Sequence, residues 1–230
     1  MLKVRRALLV LVVLIALPAS AAQAEEYVAL GDSYAAGPLI PLQLPPFGCL
    51  KSNNNYGNIA ARALQAAPYR DPTCSGAKTN HMTTAQGVTP GPNPPQFDSL
   101  TSSTTLVTLT IGGNDIGFSG IAQDCFSRDN KGTPCQDRYV VNGVDEISQR
   151  IKDTAPKVAS VLQGIAQRSP NARILVVNYA AILPEGAGCW PVMPISDGDV
   201  PYVRAKEKEL NQMLADQAAA NGARLVLGAR

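Results

Sequence analysis

Short apolar runs alternate with amphipathic stretches along the chain. Apolar residues dominate runs of strand length at 27–30, 106–111, 173–179 and 224–227. Amphipathic or alanine-rich stretches predict helices over 56–65, 147–165 and 203–220. Strands that alternate with helices in this way predict a mostly parallel sheet with helices on both faces. In such a sheet a ligand binds at the carboxyl ends of the strands.

Proline-rich and polar segments between these elements predict loops. Four prolines make 86–98 irregular. A polar loop tied by a disulfide is predicted at 119–143, and a further loop at 182–200. Pro156 lies inside one predicted helix and is expected to kink or split it.

The first 24 residues have the parts of an export signal. Its basic start consists of Lys3, Arg5 and Arg6. An unbroken apolar run follows at 7–17, Pro18 ends it, and Ala22-Gln23-Ala24 fits the small-x-small cleavage pattern. The run is too short to span a bilayer. We predict a signal peptide over 1–24 and a mature chain beginning at Glu25; the alternative is an uncleaved N-terminal anchor.

Composition and charge indicate one globular domain of 230 residues, with 45% hydrophobic and 17% charged residues. The formal net charge of +2 comes from the export signal, because the rest of the chain carries 17 basic and 18 acidic side chains. That balance excludes the basic character that favours nucleic acid.

Export implies an oxidising compartment, so the five cysteines are disulfide candidates. Pairing nearest neighbours predicts Cys49–Cys74 and Cys125–Cys135, although sequence alone leaves other pairings open. Cys189 is then a reactive thiol, an intermolecular partner or a cysteine whose partner is missing. No pair has the spacing of a metal site, and a single histidine cannot complete a usual zinc set. We therefore expect no metal.

Three short blocks follow the strands or lie between them. Gly31-Asp32-Ser33-Tyr34 comes after the first strand, Cys74-Ser75-Gly76-Ala77 lies in between, and Gly112-Gly113-Asn114-Asp115 ends the second. In this order the blocks resemble the GDSL esterase/lipase family, or SGNH hydrolases, in its secreted actinobacterial branch. The resemblance implies a three-layer α/β/α fold with a mostly parallel, flavodoxin-like sheet of about five strands. It also implies an esterase or lipase without metal or organic cofactor.

The blocks carry the chemistry of a serine hydrolase. A serine at a sharp turn after a strand exposes its hydroxyl to a substrate carbonyl, so Ser33 is the predicted nucleophile. Attack creates an oxyanion, which needs preorganised donors. The resemblance assigns that role to the backbone N–H groups of Ser33 and Gly76 and to the side-chain amide of Asn114. Asp32 and Asp115 are expected to hold their loops by hydrogen bonds to backbone.

Simpler roles exist for the same residues. Ser33 could be an ordinary turn or capping serine, Gly76 a turn glycine and Asn114 a turn asparagine. Tyr34 and Trp190 either line the acyl pocket or serve packing.

The family's fourth block, Asp-x-x-His, does not occur in the chain. In the family that histidine is the general base and the aspartate orients it, though some secreted members use a backbone carbonyl instead. The single histidine, His81, matches no catalytic position and is expected to be structural or at the surface; a substitute base is the minor alternative. A missing block also explains the odd Cys189. We therefore expect residues 25–230 to be an esterase domain truncated at the C-terminus, and inactivity of this form is one expectation.

The sequence thus predicts a secreted serine esterase or lipase that hydrolyses lipid or short acyl esters through an acyl-Ser33 intermediate. One alternative is an acyltransferase, because an acyl-enzyme can also meet an acceptor alcohol. Another is a non-catalytic secreted protein that binds esters or carbohydrates in a retained cleft. We expect a small-molecule or lipid ester as partner, no nucleic acid, no stable membrane insertion after signal cleavage, and a monomer.

Overall fold

A computed structural model describes residues 24–228 of the chain. The predicted signal peptide lies outside this part except for Ala24. The strands are β1 (Tyr27–Gly31), β2 (Gln43–Leu44), β3 (Lys51–Ser52), β4 (Tyr69–Arg70), β5 (Leu106–Thr110), β6 (Val140–Val141), β7 (Val144–Asp145), β8 (Arg173–Val177) and β9 (Arg224–Val226). The helices are α1 (Ser33–Ala36), α2 (Tyr56–Leu64), α3 (Phe118–Asp124), α4 (Pro134–Tyr139), α5 (Glu146–Arg168) and α6 (Val200–Ala220).

Five strands form a parallel sheet in the order β4-β1-β5-β8-β9. Numbered along the chain, these strands follow the order 2-1-3-4-5 of flavodoxin-like sheets, which confirms the predicted fold. β1 pairs with β5 over its whole length, up to Gly31 opposite Thr110. The chain passes from β1 to β4 on one side and returns to β5 on the other. The point where the strand order reverses therefore lies between β1 and β5, where open α/β sheets bind ligands.

Both faces of the sheet are covered by helices. Successive side chains of a strand point to opposite faces. Val28 and Leu30 of β1 accordingly join the larger core, which α5 and α6 complete. Tyr27 and Ala29 pack on the other face against Ala61 of α2. The three layers follow from this alternation of buried residues.

Helix α5 is continuous through Pro156, so of the two expected effects of this proline, a kink or a split, the split does not occur. Proline removes one backbone hydrogen bond from a helix. Buried residues on both sides of it, Ile151 and Val158, belong to the same core. Their burial offsets the missing bond. The helix begins at the cap Asp145, whose side chain accepts the N–H of Ser148 at 3.1 Å.

The segment 119–143 is more ordered than the polar loop predicted for it. It contains most of α3, all of α4 and β6, the first strand of a hairpin that β7 completes just after the segment. Ile121 of α3 and Tyr139 of α4 are buried in the larger core, so these short helices pack against it. The disulfide Cys125–Cys135 ties the segment as predicted.

The second predicted disulfide, Cys49–Cys74, is also present. Cys189 is exposed and forms no disulfide within residues 24–228. The proline-rich segment 86–98 is irregular apart from a bridge between Gln86 and Asn93 and the start of a 3-10 helix at Gln96–Ser99. In the part of the chain that the structure describes, no helix is both long and apolar enough to cross a membrane.

Candidate active site

Ser33 is the first residue of α1 and follows β1 through a tight turn. Asp32 caps the helix, because its Oδ1 accepts the backbone N–H two residues further on at 2.9 Å. Gly31 has a φ of 147°, and a Cβ there would lie 2.4 Å from the carbonyl oxygen of Thr110, so this position requires glycine. The side chain of Gln96 bonds both backbone groups of Gly31, at 2.8 and 2.9 Å. The turn that presents Ser33 is therefore fixed from both sides.

Asn114 lies in the turn that follows β5. Its Nδ2 donates to the carbonyl oxygen of Ala77 at 2.9 Å, which uses one of the two amide hydrogens and leaves the second available. Because β1 and β5 are neighbours, Asn114 and Ser33 line the same cleft, which has a volume of about 110 Å³. The structure thus brings together two of the three predicted catalytic residues.

Gly76 lies in the loop whose next residue, Ala77, accepts the hydrogen bond from Asn114. Its φ is 79°, a conformation that glycine adopts freely. Both backbone groups of Ser75 form hydrogen bonds. Its N–H donates to the carbonyl oxygen of Cys49 at 2.9 Å, and its carbonyl oxygen accepts from the side-chain amide of Gln86 at 2.8 Å. Gly76 borders a groove of about 470 Å³ that Asn114 also lines. Within residues 24–228, neither the N–H of Gly76 nor that of Ser33 donates a hydrogen bond.

The cleft has an apolar section and a polar section, with Asn114 between them. The mainly apolar section beside Ser33 is walled by Tyr34, Phe118, Tyr179, Ala180, Ile182 and Leu210, with Asp32 and Glu207 as its acidic residues. The polar groove beyond Asn114 includes Lys78, Ser119, Asp124 and Arg150. Tyr34 is therefore a cleft residue, while Trp190 lines neither section among the described residues.

The buried Asp32 and the half-buried Tyr179 form a contact that was not among the predictions from the sequence. Tyr179 lies just after β8 and donates from its hydroxyl to Asp32 Oδ2 at 2.5 Å. The same hydroxyl oxygen accepts the N–H of Gly113 at 2.9 Å. Burial raises the pKa of Asp32 to about 7, against the opposing effect of the hydrogen bonds from Tyr179 and Tyr34. Tyr179 is the last residue of the run 173–179 that was predicted as a strand, and that position was the available signal, because the strand's carboxyl end meets the site.

Asp115 holds its loop, as predicted. Its carboxylate accepts the N–H of Thr79 at 3.0 Å and the hydroxyl of Thr79 at 2.5 Å. This contact joins the turn after β5 to the loop that carries Gly76.

His81 lies in the 3-10 helix Thr79–Met82, and its Nδ1 accepts the backbone N–H of Lys78 at 3.0 Å. Burial lowers the pKa of His81. The ring does not line the cleft that contains Ser33. His81 is placed as a structural residue, as the sequence predicted. Among residues 24–228, no cluster of three or more His, Cys, Asp or Glu side chains is arranged to hold a metal ion.

Comparison with known proteins decides the family. The model of the GDSL-like lipase/acylhydrolase family matches residues 29–227. The chain belongs to the GDSL-like lipase/acylhydrolase family. As a member of this family it is an esterase or lipase, which confirms the activity class implied by the three blocks.

Relatives of this GDSL-like protein are found among Streptomyces enzymes. Lipase 2 of Streptomyces coelicolor is 38% identical over 226 residues, which covers 92% of this chain and 72% of that relative. A lipase of Streptomyces rimosus is 30% identical, covering 87% of this chain and 68% of its own length. The crystal structure of phospholipase A1 from Streptomyces albidoflavus superposes with a TM-score of 0.75 at 26% identity, covering 88% of this chain and 79% of that one. An extracellular lipase of Streptomyces rimosus gives 0.73 at 25% identity, with 89% and 80% covered.

Proposed function

We propose that this chain hydrolyses carboxylic esters by nucleophilic attack of Ser33 on the ester carbonyl. The hydroxyl oxygen bonds to the carbonyl carbon, the bond from that carbon to the alcohol oxygen breaks, and the hydroxyl proton leaves with the alcohol. Water then cleaves the acyl-Ser33 ester, which releases the acid and restores the hydroxyl. The observation that carries the proposal is the shared cleft of Ser33 and Asn114, each at the carboxyl end of one of two neighbouring strands. That is the position at which α/β sheets bind ligands.

The oxyanion donors in this proposal are the N–H groups of Ser33 and Gly76 and the side-chain amide of Asn114. Both backbone groups lack an acceptor within residues 24–228, and the Asn114 amide has one hydrogen to spare. Such neutral donors, fixed before substrate arrives, stabilise the negative charge that develops on the carbonyl oxygen. The proposal assigns no base to His81, whose ring lies outside the cleft.

The test is hydrolysis of a short p-nitrophenyl ester by the purified protein and by Ser33→Ala. We expect the variant to be less active than wild type, because it lacks the attacking oxygen; since no histidine lines the described cleft, the loss should be smaller than in a serine hydrolase with a complete triad. Ser160→Ala is the matched control, since the Ser160 hydroxyl bonds only its own helix at the carbonyl of Pro156. Acid-quenched protein should carry the acyl group on the peptide containing Ser33. Equal activity of wild type and Ser33→Ala would refute the proposed nucleophile.

The two sections of the cleft support an ester with an apolar acyl group and a polar alcohol. We propose that the acyl group lies against Tyr34 and Leu210, and that the alcohol part occupies the groove with Ser119 and Arg150. Ile182→Asp should lower kcat/KM more for a longer acyl chain than for acetate, because Ile182 lines the same section and is exposed enough to carry the charge. An equal loss across a series of p-nitrophenyl esters would argue against this placement.

We also propose that the protein is secreted after removal of residues 1–24. The two disulfides support an oxidising compartment. One similar solved structure is that of an extracellular lipase. N-terminal sequencing of material from the culture medium should begin at Glu25. Secreted protein that retains Met1 would contradict the cleavage.

A further inference from the structure

Tyr179 connects the turn of the proposed nucleophile to the turn of the proposed oxyanion donor. We call the chain of contacts from Gly113 N–H to the Tyr179 hydroxyl to the Asp32 carboxylate the tyrosine bridge. Asp32 directly precedes Ser33, and Gly113 directly precedes Asn114. One hydroxyl group therefore contacts the residue before each of the two groups that act on the ester.

We propose that Tyr179 is a positioning residue that sets the separation between the Ser33 hydroxyl and the Asn114 amide. The inference rests on the proposed function of these two residues. Tyr179 touches neither the nucleophile nor the amide by a hydrogen bond within residues 24–228, so it acts through their neighbours.

Tyr179 is itself held firmly. The side chain of Asn211 bonds both its backbone groups, at 3.0 Å to the N–H and 2.8 Å to the carbonyl. Its ring meets the ring of Tyr34 edge-on with centroids 5.5 Å apart. The hydroxyl of Tyr34 in turn accepts the N–H of Ala180 at 2.9 Å. The bridge is therefore anchored to α6 as well as to both turns.

The tyrosine bridge requires glycine at position 113, because the Tyr179 hydroxyl approaches the backbone closely there. A Cβ at this position would lie 2.9 Å from the Tyr179 hydroxyl oxygen, closer than real Cβ atoms approach other atoms. Glycine allows the hydroxyl to reach the backbone N–H directly. Consecutive hydrogen bonds in a buried site polarise one another, which strengthens a chain that runs from N–H through O–H to a carboxylate.

Loss of the bridge should raise the free energy of the transition state more than it weakens substrate binding. Tyr179 is one of the residues that line the cleft beside Ser33, but its hydroxyl is engaged by Gly113 and Asp32, so the other walls supply most of the contacts with the acyl and alcohol groups. Stabilisation of the oxyanion, in contrast, depends on the placement of donors to a fraction of an ångström. A variant without the hydroxyl is therefore expected to lose kcat and to keep KM.

The experiment compares Tyr179→Phe with Tyr27→Phe in ester hydrolysis. Tyr27 is a matched control, because it is a fully buried tyrosine whose hydroxyl bonds Thr108 at 2.8 Å, away from both turns. Tyr179→Phe should lower kcat about tenfold to a hundredfold with KM within about twofold of wild type. Tyr27→Phe should leave both constants near wild type. Equal kcat in Tyr179→Phe and wild type would overturn the proposal.

A second readout separates positioning from general support of the fold. Asp32 faces the Tyr34 N–H, the Tyr179 hydroxyl and the charge of Asp115. Since the hydrogen bond from Tyr179 lowers the pKa of Asp32, its removal should raise that pKa above about 7. Carboxyl carbon NMR of labelled protein measures it, and Tyr27→Phe should cause no shift. An unchanged pKa in Tyr179→Phe would show that the bridge does not form.

The two proposals can fail separately. Full activity in Ser33→Ala refutes the nucleophile, while the NMR titration still tests the bridge. Loss of activity in Ser33→Ala together with wild-type kcat in Tyr179→Phe refutes the bridge alone. If Tyr179→Phe does not fold, Asp32→Asn places an NH2 donor where an oxygen accepts from Tyr179 and keeps the oxygen that accepts the Tyr34 N–H, so the same loss of kcat is expected.

Discussion

Asp32 links the ionisation of one buried side chain to the stability of the protein. Burial raises its pKa from 3.8 to about 7, so the folded protein binds a proton there that the unfolded chain releases above pH 4. This contribution to stability is fully present below about pH 4 and is lost as the pH rises to about 7, at about 1.4 kcal/mol per pH unit. Urea unfolding of wild type and Asp32→Asn should therefore show a difference that changes between pH 4 and 7 and is constant above. A difference independent of pH would contradict the raised pKa.

Asn114 is the side-chain donor among the three proposed oxyanion donors. Asn114→Asp replaces its amide by a carboxylate that cannot donate, and Asn114→Ala removes the group. Both should lower kcat about a hundredfold to a thousandfold, with Asn114→Asp the worse because its charge repels the oxyanion. The control in steady-state kinetics is Asn171→Ala, because Asn171 is an exposed residue before β8. Retained kcat in both Asn114 variants would remove this residue from the mechanism.

Site residues that lie in one of the three sequence blocks could be predicted from the sequence. A contact between residues far apart in the chain could not. Ser33 and Asn114 follow strands in recognisable blocks, so local pattern was enough to select them. Tyr179 reaches Asp32 across 147 residues. No local pattern encodes that contact, because it depends on the register and order of the strands.

At the scale of elements, the Cys49–Cys74 disulfide anchors the loop that carries Gly76. It spans 25 residues, whereas Cys125–Cys135 spans 10. Replacing either pair by serine should lower the free energy of unfolding, by about 3.5 kcal/mol for the longer loop and about 2.7 kcal/mol for the shorter in the chain-entropy account. Urea titration of each variant and of wild type measures the difference in the free energy of unfolding.

Activity should distinguish the two disulfides further. Loss of Cys49–Cys74 should also lower kcat, because Ser75 bonds the carbonyl of Cys49 next to the proposed donor Gly76. Loss of Cys125–Cys135 should leave kcat near wild type under conditions where the protein is folded. The same kcat loss in both variants would argue that only global stability matters.

Long periodic elements were predictable, and short elements with a tertiary origin were not. The apolar period of α5 and the runs of β5 and β8 identify them directly. In contrast, α3 and α4 are only seven and six residues long and are stabilised by burial of Ile121 and Tyr139 rather than by periodicity. The continuity of α5 through Pro156 has the same cause, because packing outweighs the local preference.

For the molecule as a whole, stability should depend on the core between the sheet and its two long helices. Leu109 in β5 is fully buried in this core. Leu109→Ala should lower the free energy of unfolding by about 2–5 kcal/mol, through lost burial and the cavity that remains. Leu64→Ala on α2 is the control, because that side chain is 47% exposed. Equal midpoints in chemical unfolding for the two variants would contradict this placement of the core.

The position of β1 in the sheet determines when the molecule can become active during synthesis. β1 lies between β4 and β5, and Glu26 at its start meets its partner Thr105 only 79 residues later. Ser33 therefore leaves the ribosome long before Asn114 and Tyr179 exist to orient it. We expect a nascent chain that ends before these residues to show no ester hydrolysis at the proposed nucleophile, because the residues that orient it are not yet present.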